Sequence, residues 1–400
     1  MDQGAGYSDG FAAPRRRSGE EIGFRVFAHE HEEQERMSSD EEPDRDQALI
    51  PGLPRGVAQS CLARVPRGLY PRLRLVSRQW NQALRPDQIF SIRSNDGISE
   101  PWLYITLAMG GPFFALDPIL MAWHRLPAFP ADQIFTDNDK ECFVAGRELL
   151  VVGPSFYNFR MHPVIWRYRA DRNEWSAAPP MTTPRCQFAS ASFGGMAYVA
   201  GGAGFGTSTP LRDAEVYCSG AGRWRALPPM HTARKECSGF VMDGCFYVIG
   251  GTDGRDQPVT AGERFDPRTR RWTVIPGLWP ESSVSRFRGS VAPPLVAVVG
   301  DVLYAWDHPN GLLKRYEKFG GRWTVLDAAA GRRANAESHG WGLGFKGVGE
   351  EVWLIGGSEL DVPFIDACRP ARSGGVLWRR VAEASPVGDN FVYNCAVMKA

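Results

Sequence analysis

Short apolar runs alternate with glycine-rich or polar turns along most of this 400-residue chain, and the alternation repeats. Apolar runs of that length bounded by turn residues predict β-strands. The clearest unit reads VAGG at 199–202, then Tyr217 fifteen residues after the second glycine, Trp224 seven later, and Leu227-Pro228. Gly250-Gly251, Phe265 and Trp272 repeat it with gaps of fourteen and seven, and Gly153, Tyr168 and Trp175 with fifteen and seven. Tyr316 and Trp323 keep the seven-residue interval without the glycine pair, whereas Gly356-Gly357 keeps the pair and Trp378 closes that unit. The tryptophans at 123, 175, 224, 272, 323 and 378 are separated by 52, 49, 48, 51 and 55 residues. A period near fifty has room for four short strands and their turns, so six units predict a ring of six sheets.

Five units are complete, spanning 142–180, 185–229, 234–278, 289–327 and 339–384. The one that begins at Pro101 shows only three strands before its Trp123, and its Gly110-Gly111 falls at a hairpin turn. The segment 391–398 (FVYNCAVM) resembles the opening strand 237–242 (CSGFVM) and is expected to supply the missing fourth strand. Pairing the first and last segments closes the ring and leaves no exposed edge. The glycine pairs are expected where backbones approach closely, and the Tyr or Phe and Trp of each unit between neighbouring blades. The last unit departs most, because Ala371 stands seven residues before Trp378 where the others carry an aromatic ring.

Residues 49–93 have a different period. Val57, Cys61, Leu62 and Val65 are spaced as on a helix that Pro66 breaks, and Leu73, Val76, Trp80 and Leu84 recur at three- and four-residue steps on a second. About forty-five residues make too small a core to be secure alone, so this unit should lean on a partner. Ahead of it, 1–48 hold Arg15-Arg16-Arg17 and a largely acidic run over 30–46, a composition that predicts a disordered tail.

Composition narrows the functional classes. A net charge of +1 argues against bulk electrostatic capture of nucleic acid. Neither an apolar stretch of membrane-spanning length nor a signal-peptide core is visible, so a cytoplasmic or nuclear location is expected, with no membrane partner. The eight cysteines show no CxxC or zinc spacing and read as small buried hydrophobes. The seven histidines are dispersed, and GxSxG, the P-loop and a phosphate-cradling GxGxxG in strand-turn-helix context are missing. No cofactor, metal site or catalytic residue is therefore expected.

Leu53-Pro54, Leu62, Val65-Pro66, Leu73-Arg74, Val76-Ser77 and Trp80 match the F-box pattern, and the fifty-residue units with paired glycines match kelch repeats. Together with 292–300 (APPLVAVVG) and the closing FVYNCAVM, the chain resembles plant F-box/kelch-repeat proteins. That resemblance implies a mainly β, six-bladed kelch propeller over 101–400, closed by 391–398 and preceded by a small helical F-box domain at 49–93. It implies a substrate receptor of a Skp-cullin-F-box ubiquitin ligase, itself non-catalytic. The F-box would hold the Skp-type adaptor, and through it the cullin-RING ligase, while the propeller captures a target protein of unknown identity for ubiquitination and degradation. On this chain the adaptor contacts would fall to Leu53, Pro54, Val57, Leu62, Val65, Pro66, Leu73, Val76 and Trp80. Residues 53–93 hold eight arginines against one acid, Asp87, which suits an acidic partner with a basic rim. A helical cap packed only on the propeller is the alternative. A scaffold without ligase activity and a kelch-fold metal enzyme are the rival functions.

Target contacts are expected in loops at one face of the propeller. Two loops repeat Met-x-x-x-Arg, ending at Arg185 (MTTPR) and Arg234 (MHTAR), and equivalent places hold Arg286 and Arg288, Arg332 and Arg333, and Ser338-His339-Gly340-Trp341. Arg185, Arg234, Arg288, Arg332 and Trp341 are the candidate target-binding residues. The same guanidiniums can instead bind loop carbonyls and hold the blades together, and both readings stand. Loops 202–211, with Phe205, and 251–260 are further candidates.

Overall fold

Four helices lead into the β-structure. In the computed structural model they are α1 (Arg55–Ala63), α2 (Tyr70–Leu73, entered through a 3-10 turn at Arg67–Leu69), α3 (Arg78–Ala83) and α4 (Pro86–Asn95). The structure describes residues 48–106, 111–157, 160–280, 283, 292–327, 340–356, 364–370, 376–382, 392 and 394–400. The charged tail, Gly110, Ala371 and Gly357 lie outside them. Proline breaks α1 from the 3-10 turn and starts α4, and Ser77 caps α3 by accepting the Trp80 N–H at 3.1 Å. Small and apolar faces meet in a core of Ala58, Leu62, Tyr70, Leu84, Ile89 and Phe90.

The described strands form six four-stranded antiparallel sheets. The second to sixth blades are continuous in sequence, covering 141–178, 189–227, 238–275, 295–327 and 343–382. The first joins Pro101–Thr106, Phe114–Asp117 and Ala122–Arg125 to Asn394–Lys399, which pairs antiparallel with Pro101–Thr106 over six residue pairs. That fourth strand starts at Asn394, and Val392 makes an isolated bridge to Gly342. Arg185–Cys186 and Ala203–Gly204 add a small two-stranded ribbon.

Burial follows position within a blade. Second strands such as Cys245–Ile249 are buried throughout because adjoining blades cover both faces, whereas the outer strand Arg223–Leu227 is mostly exposed. Tyr168, Tyr217, Phe265 and Tyr316 are buried and tilt against Trp175, Trp224, Trp272 and Trp323 at centroid distances of 5.2 to 5.3 Å. Each of those indoles donates its N–H to the chain leaving the preceding blade. Trp175 bonds Pro127 O at 2.8 Å, Trp224 Pro179 O at 3.0 Å, Trp272 Pro228 O at 2.7 Å and Trp323 Leu278 O at 2.8 Å. Trp378 reaches the Asp327 carboxylate at 2.8 Å in the same way. The recurring tryptophan is thus both filler and clasp between blades.

The glycine pair behaves as its spacing predicts. Gly202 has φ +91°, and a Cβ there would stand 2.5 Å from the Cys186 carbonyl. In the sixth blade, Ala367 pairs with Arg379 and the neighbouring Cys368 is buried. That innermost described pair stands twelve residues apart in sequence, whereas the ring pairs of the second to fifth blades stand seven apart.

Candidate protein-binding surfaces

The first surface belongs to the helices. On α1, Ala58 and Leu62 turn into the helical core, leaving Val57 at 48% exposure with Pro54 and Cys61 also exposed. Between α2 and α3, Leu75 is 85% and Val76 60% exposed. Leu53, Val65, Pro66, Leu73 and Trp80 are half-buried, and the Trp80 indole donates to Leu49 O at 2.9 Å. Leu62, at 3% exposure, is a correction: its i, i+4 partnership with Ala58 makes it core, not a contact for another protein. Leu75 was missed, although an apolar residue between Arg74 and Val76 outside any helical stripe was the available signal.

The arginines divide in the same way. Arg55, Arg64, Arg72, Arg78 and Arg85 are exposed around this surface, while Arg74 donates to Leu84 O at 2.8 Å. Arg67 and Arg93 are buried and are removed from the expected rim. Both turn toward Glu100 at the joint with the propeller. Arg93 Nη2 stands 2.5 Å from Glu100 Oε1, the Arg67 backbone N–H reaches Glu100 at 3.3 Å, and Trp102 Nε1 donates to its other oxygen at 3.1 Å. Arg67 also stacks its guanidinium 3.7 Å from the Trp102 ring centroid and donates to Tyr104 OH. The Glu100 and Ala400 backbones exchange hydrogen bonds, and Ala400 packs into the helical core.

The helices cover one side of the ring. They meet the turn at 118–121 through Gly68, the turn near Arg147 through Phe90, and Ala170. These turns join first to second or third to fourth strands. In an antiparallel blade the remaining connections emerge at the other end. That opposite face carries the loops after the glycine pairs and the Met-x-x-x-Arg loops, and it is free of the helices.

Arg185 and Arg234 do not serve this face as contacts, which is a second correction. Both are 0% exposed. Arg185 donates to Gly201 O and Asp213 O at 3.0 and 2.6 Å and pairs with Glu215 at 2.9 Å. Arg234 repeats this with Gly250 O, Ala261 O and Glu263. Burial pushes the Arg185 pKa down while Glu215 pushes it back up. Glu215 also accepts the N–H groups of Thr182 and Thr183, and Glu263 those of His231 and Thr232. The motif therefore builds the loop instead of reaching out of it. Its unnoticed half was a glutamate two residues before the blade aromatic in both units. The fifth blade has Lys314 at that position and reverses the polarity, pairing it with Asp307 and donating to Ser283 Oγ at 2.9 Å.

What this face exposes is Thr182, His231, Arg212, Asp213 and the loop crests 206–209 and 254–258. The Asp253 carboxylate accepts the N–H groups of Arg255 and Gln257 at 2.8 and 2.9 Å, giving the second crest a fixed shape. Phe205 is half-buried, its N–H bonded to Pro184 O. Trp341 is half-buried, and Arg286, Arg288, Arg332, Arg333, Ser338 and His339 lie outside the described residues.

Among the described residues no group of three or more His, Cys, Asp or Glu is placed to hold a metal, and no helix is long and apolar enough to cross a membrane. None of the eight cysteines is joined in a disulfide.

Comparison with known proteins agrees with this architecture. The Kelch motif model matches 184–231 and 233–278, the two blades with the buried Arg–Glu pairs. The F-box/kelch-repeat protein At1g26930 of Arabidopsis thaliana is 36% identical over 88% of this chain and 83% of its own length. F-box/kelch-repeat proteins SKIP11 and At3g27150 of the same plant are 36% and 33% identical, over 88% and 89% of this chain and 75% and 85% of theirs. A solved structure of YjhT shares the fold with a TM-score of 0.52 at 12% identity, covering 70% of this chain and 95% of that one. Identity at this level over most of both chains shows that the chain belongs to the F-box/kelch-repeat family.

Proposed function

We propose that this protein is the substrate-recognition subunit of a Skp-cullin-F-box ubiquitin ligase. The observation that carries the reading is the exposed apolar set Pro54, Val57, Leu75 and Val76, together with exposed Arg55, Arg64, Arg72, Arg78 and Arg85, on helices that have their own buried core. An acidic adaptor with an apolar groove would cover it, with the arginines steering encounter and the apolar residues supplying affinity. The open propeller face, turned away from the helices, holds the target protein. Its polar loop crests at 206–209 and 254–258 read that target, while Arg185 and Arg234 hold the loops in shape.

The subunit performs no bond chemistry of its own. It raises the effective concentration of target lysines near a ubiquitin-loaded enzyme, which other subunits bring. Such work belongs in the cytoplasm or nucleus.

Co-purification with a Skp-type adaptor tests the reading. The intact chain should form a stoichiometric complex, and Leu53→Ala with Pro54→Ala should lose most of it. An intact chain that forms none would support the scaffold function instead. Proximity labelling with the proteasome blocked should then enrich a target whose recovery falls when the loop crests are replaced.

A further inference from the structure

The turn that ends the first blade is unlike its counterparts. Between third and fourth strands the second to fifth blades carry Ala170-Asp171-Arg172-Asn173, Ser219-Gly220-Ala221-Gly222, Pro267-Arg268-Thr269-Arg270 and Lys318-Phe319-Gly320-Gly321. The first carries Pro118-Ile119-Leu120-Met121, with its last three side chains 55%, 38% and 44% exposed. Ordinary turn chemistry favours polar residues and glycine there, and Met121 adopts φ +52°, a conformation that a bulky side chain disfavours. The turn is nevertheless held firmly. Asp117 accepts the N–H groups of Ile119 and Leu120 at 2.8 and 3.0 Å.

This apolar tip is continuous with the helical unit. A methyl group on Gly68 would stand 2.6 Å from Asp117 Oδ2 and 2.9 Å from Leu120 Cδ1, so the turn and the 3-10 segment are in direct contact. Leu75 follows Gly68 by seven mostly helical residues, about 10 Å of chain at the usual rise. Of the thirteen large apolar side chains exposed among the described residues, six are Val57, Leu75, Val76, Ile119, Leu120 and Met121. The first three belong to the helical unit, and the last three form the turn that touches it at Gly68. Exposed Arg72, four residues after Gly68, adds positive charge to the helical unit that the tip touches. A concentration of exposed apolar residues rimmed by like charge is the usual form of a protein contact.

We propose that the Ile119–Met121 tip extends the adaptor surface onto the propeller, so that one acidic partner, the Skp-type adaptor, contacts both the helices and the first blade. This rests on the adaptor reading above. The double variant Ile119→Ser with Met121→Ser in the full chain tests it by calorimetric titration with purified adaptor. Binding should weaken tenfold or more without any fall in thermal midpoint, while Phe319→Ser, on the matching turn of the fifth blade, leaves affinity unchanged. Unaltered affinity in the double variant overturns the proposal. So does loss of self-association in that variant with adaptor affinity kept, which would give the tip to a second copy of this chain. An intact chain that binds no adaptor defeats the adaptor reading itself, and the two failures are thereby told apart.

Discussion

Arg93 and Glu100 meet at 2.5 Å in the joint between helices and propeller, both nearly sealed from water. Glu100 has no freedom to leave, because Arg67, Arg93 and Trp102 all donate to its carboxylate while Ala400 holds its backbone. The segment that closes the ring therefore also anchors the helices.

Replacing Glu100 by Ala leaves two buried arginines without their carboxylate. The expected loss is about 3–5 kcal/mol, the range for breaking one side of a buried pair. Hydrogen exchange should show it as faster exchange in 55–95 than in the fourth and fifth blades, since the joint and not the ring core is cut. Uniform protection across both would count against the joint as the anchor.

Arg185→Ala should cost a similar ~3–5 kcal/mol in chemical denaturation, because Glu215 and the carbonyls of Thr183, Gly201 and Asp213 lose a fully buried donor. The double replacement Arg185→Met with Glu215→Leu should recover much of that loss, as apolar isosteres often equal a buried pair. A surface role for Arg185 would instead leave stability within about 0.5 kcal/mol of the parent.

Trp272→Phe retains a ring but removes the N–H that reaches Pro228 O at 2.7 Å. The expected cost is roughly 1–3 kcal/mol, part from the orphaned carbonyl and part from lost ring area. Urea midpoints of parent and variant decide it.

Glu141 supplies a pH dependence. Burial pushes its carboxyl up to about 7, against the backbone N–H groups of Gln187 and Phe188, which pull it down. The folded state therefore holds this proton where the unfolded chain, near 4.5, has released it. Stability from this group is present in full below about 4.5 and falls as pH rises to about 7, by at most about 1.4 kcal/mol per pH unit. Glu141→Gln should flatten that portion of the stability profile, measured by urea unfolding at pH 5 and 7.5.

Much of the architecture was legible along the chain because it is periodic. Glycine pairs, ring-to-ring spacing and the VAGG-type runs report local requirements: a left-handed backbone, a cross-strand pair, a doubly covered strand. Each repeats with the blade, so six sheets and closure by the last strand could be read without coordinates. The sixth blade could not be read in the same way, since its ladder survives while its innermost described pair, Ala367 and Arg379, stands twelve residues apart.

The sites were less legible, for a physical reason. Arg185 and a surface arginine have the same side chain, and only the arrival of Glu215 and the Gly201 carbonyl from distant sequence decides which one it is. Leu62 and Val57 share one helix and one apolar character, yet the helical core buries the first and leaves the second exposed. Periodicity, in short, is a property of neighbours along the chain and determined the six blades and the helical unit. Exposure depends on what the fold carries in from elsewhere, so only the tertiary structure could separate the residues that hold this protein together from those it offers to others.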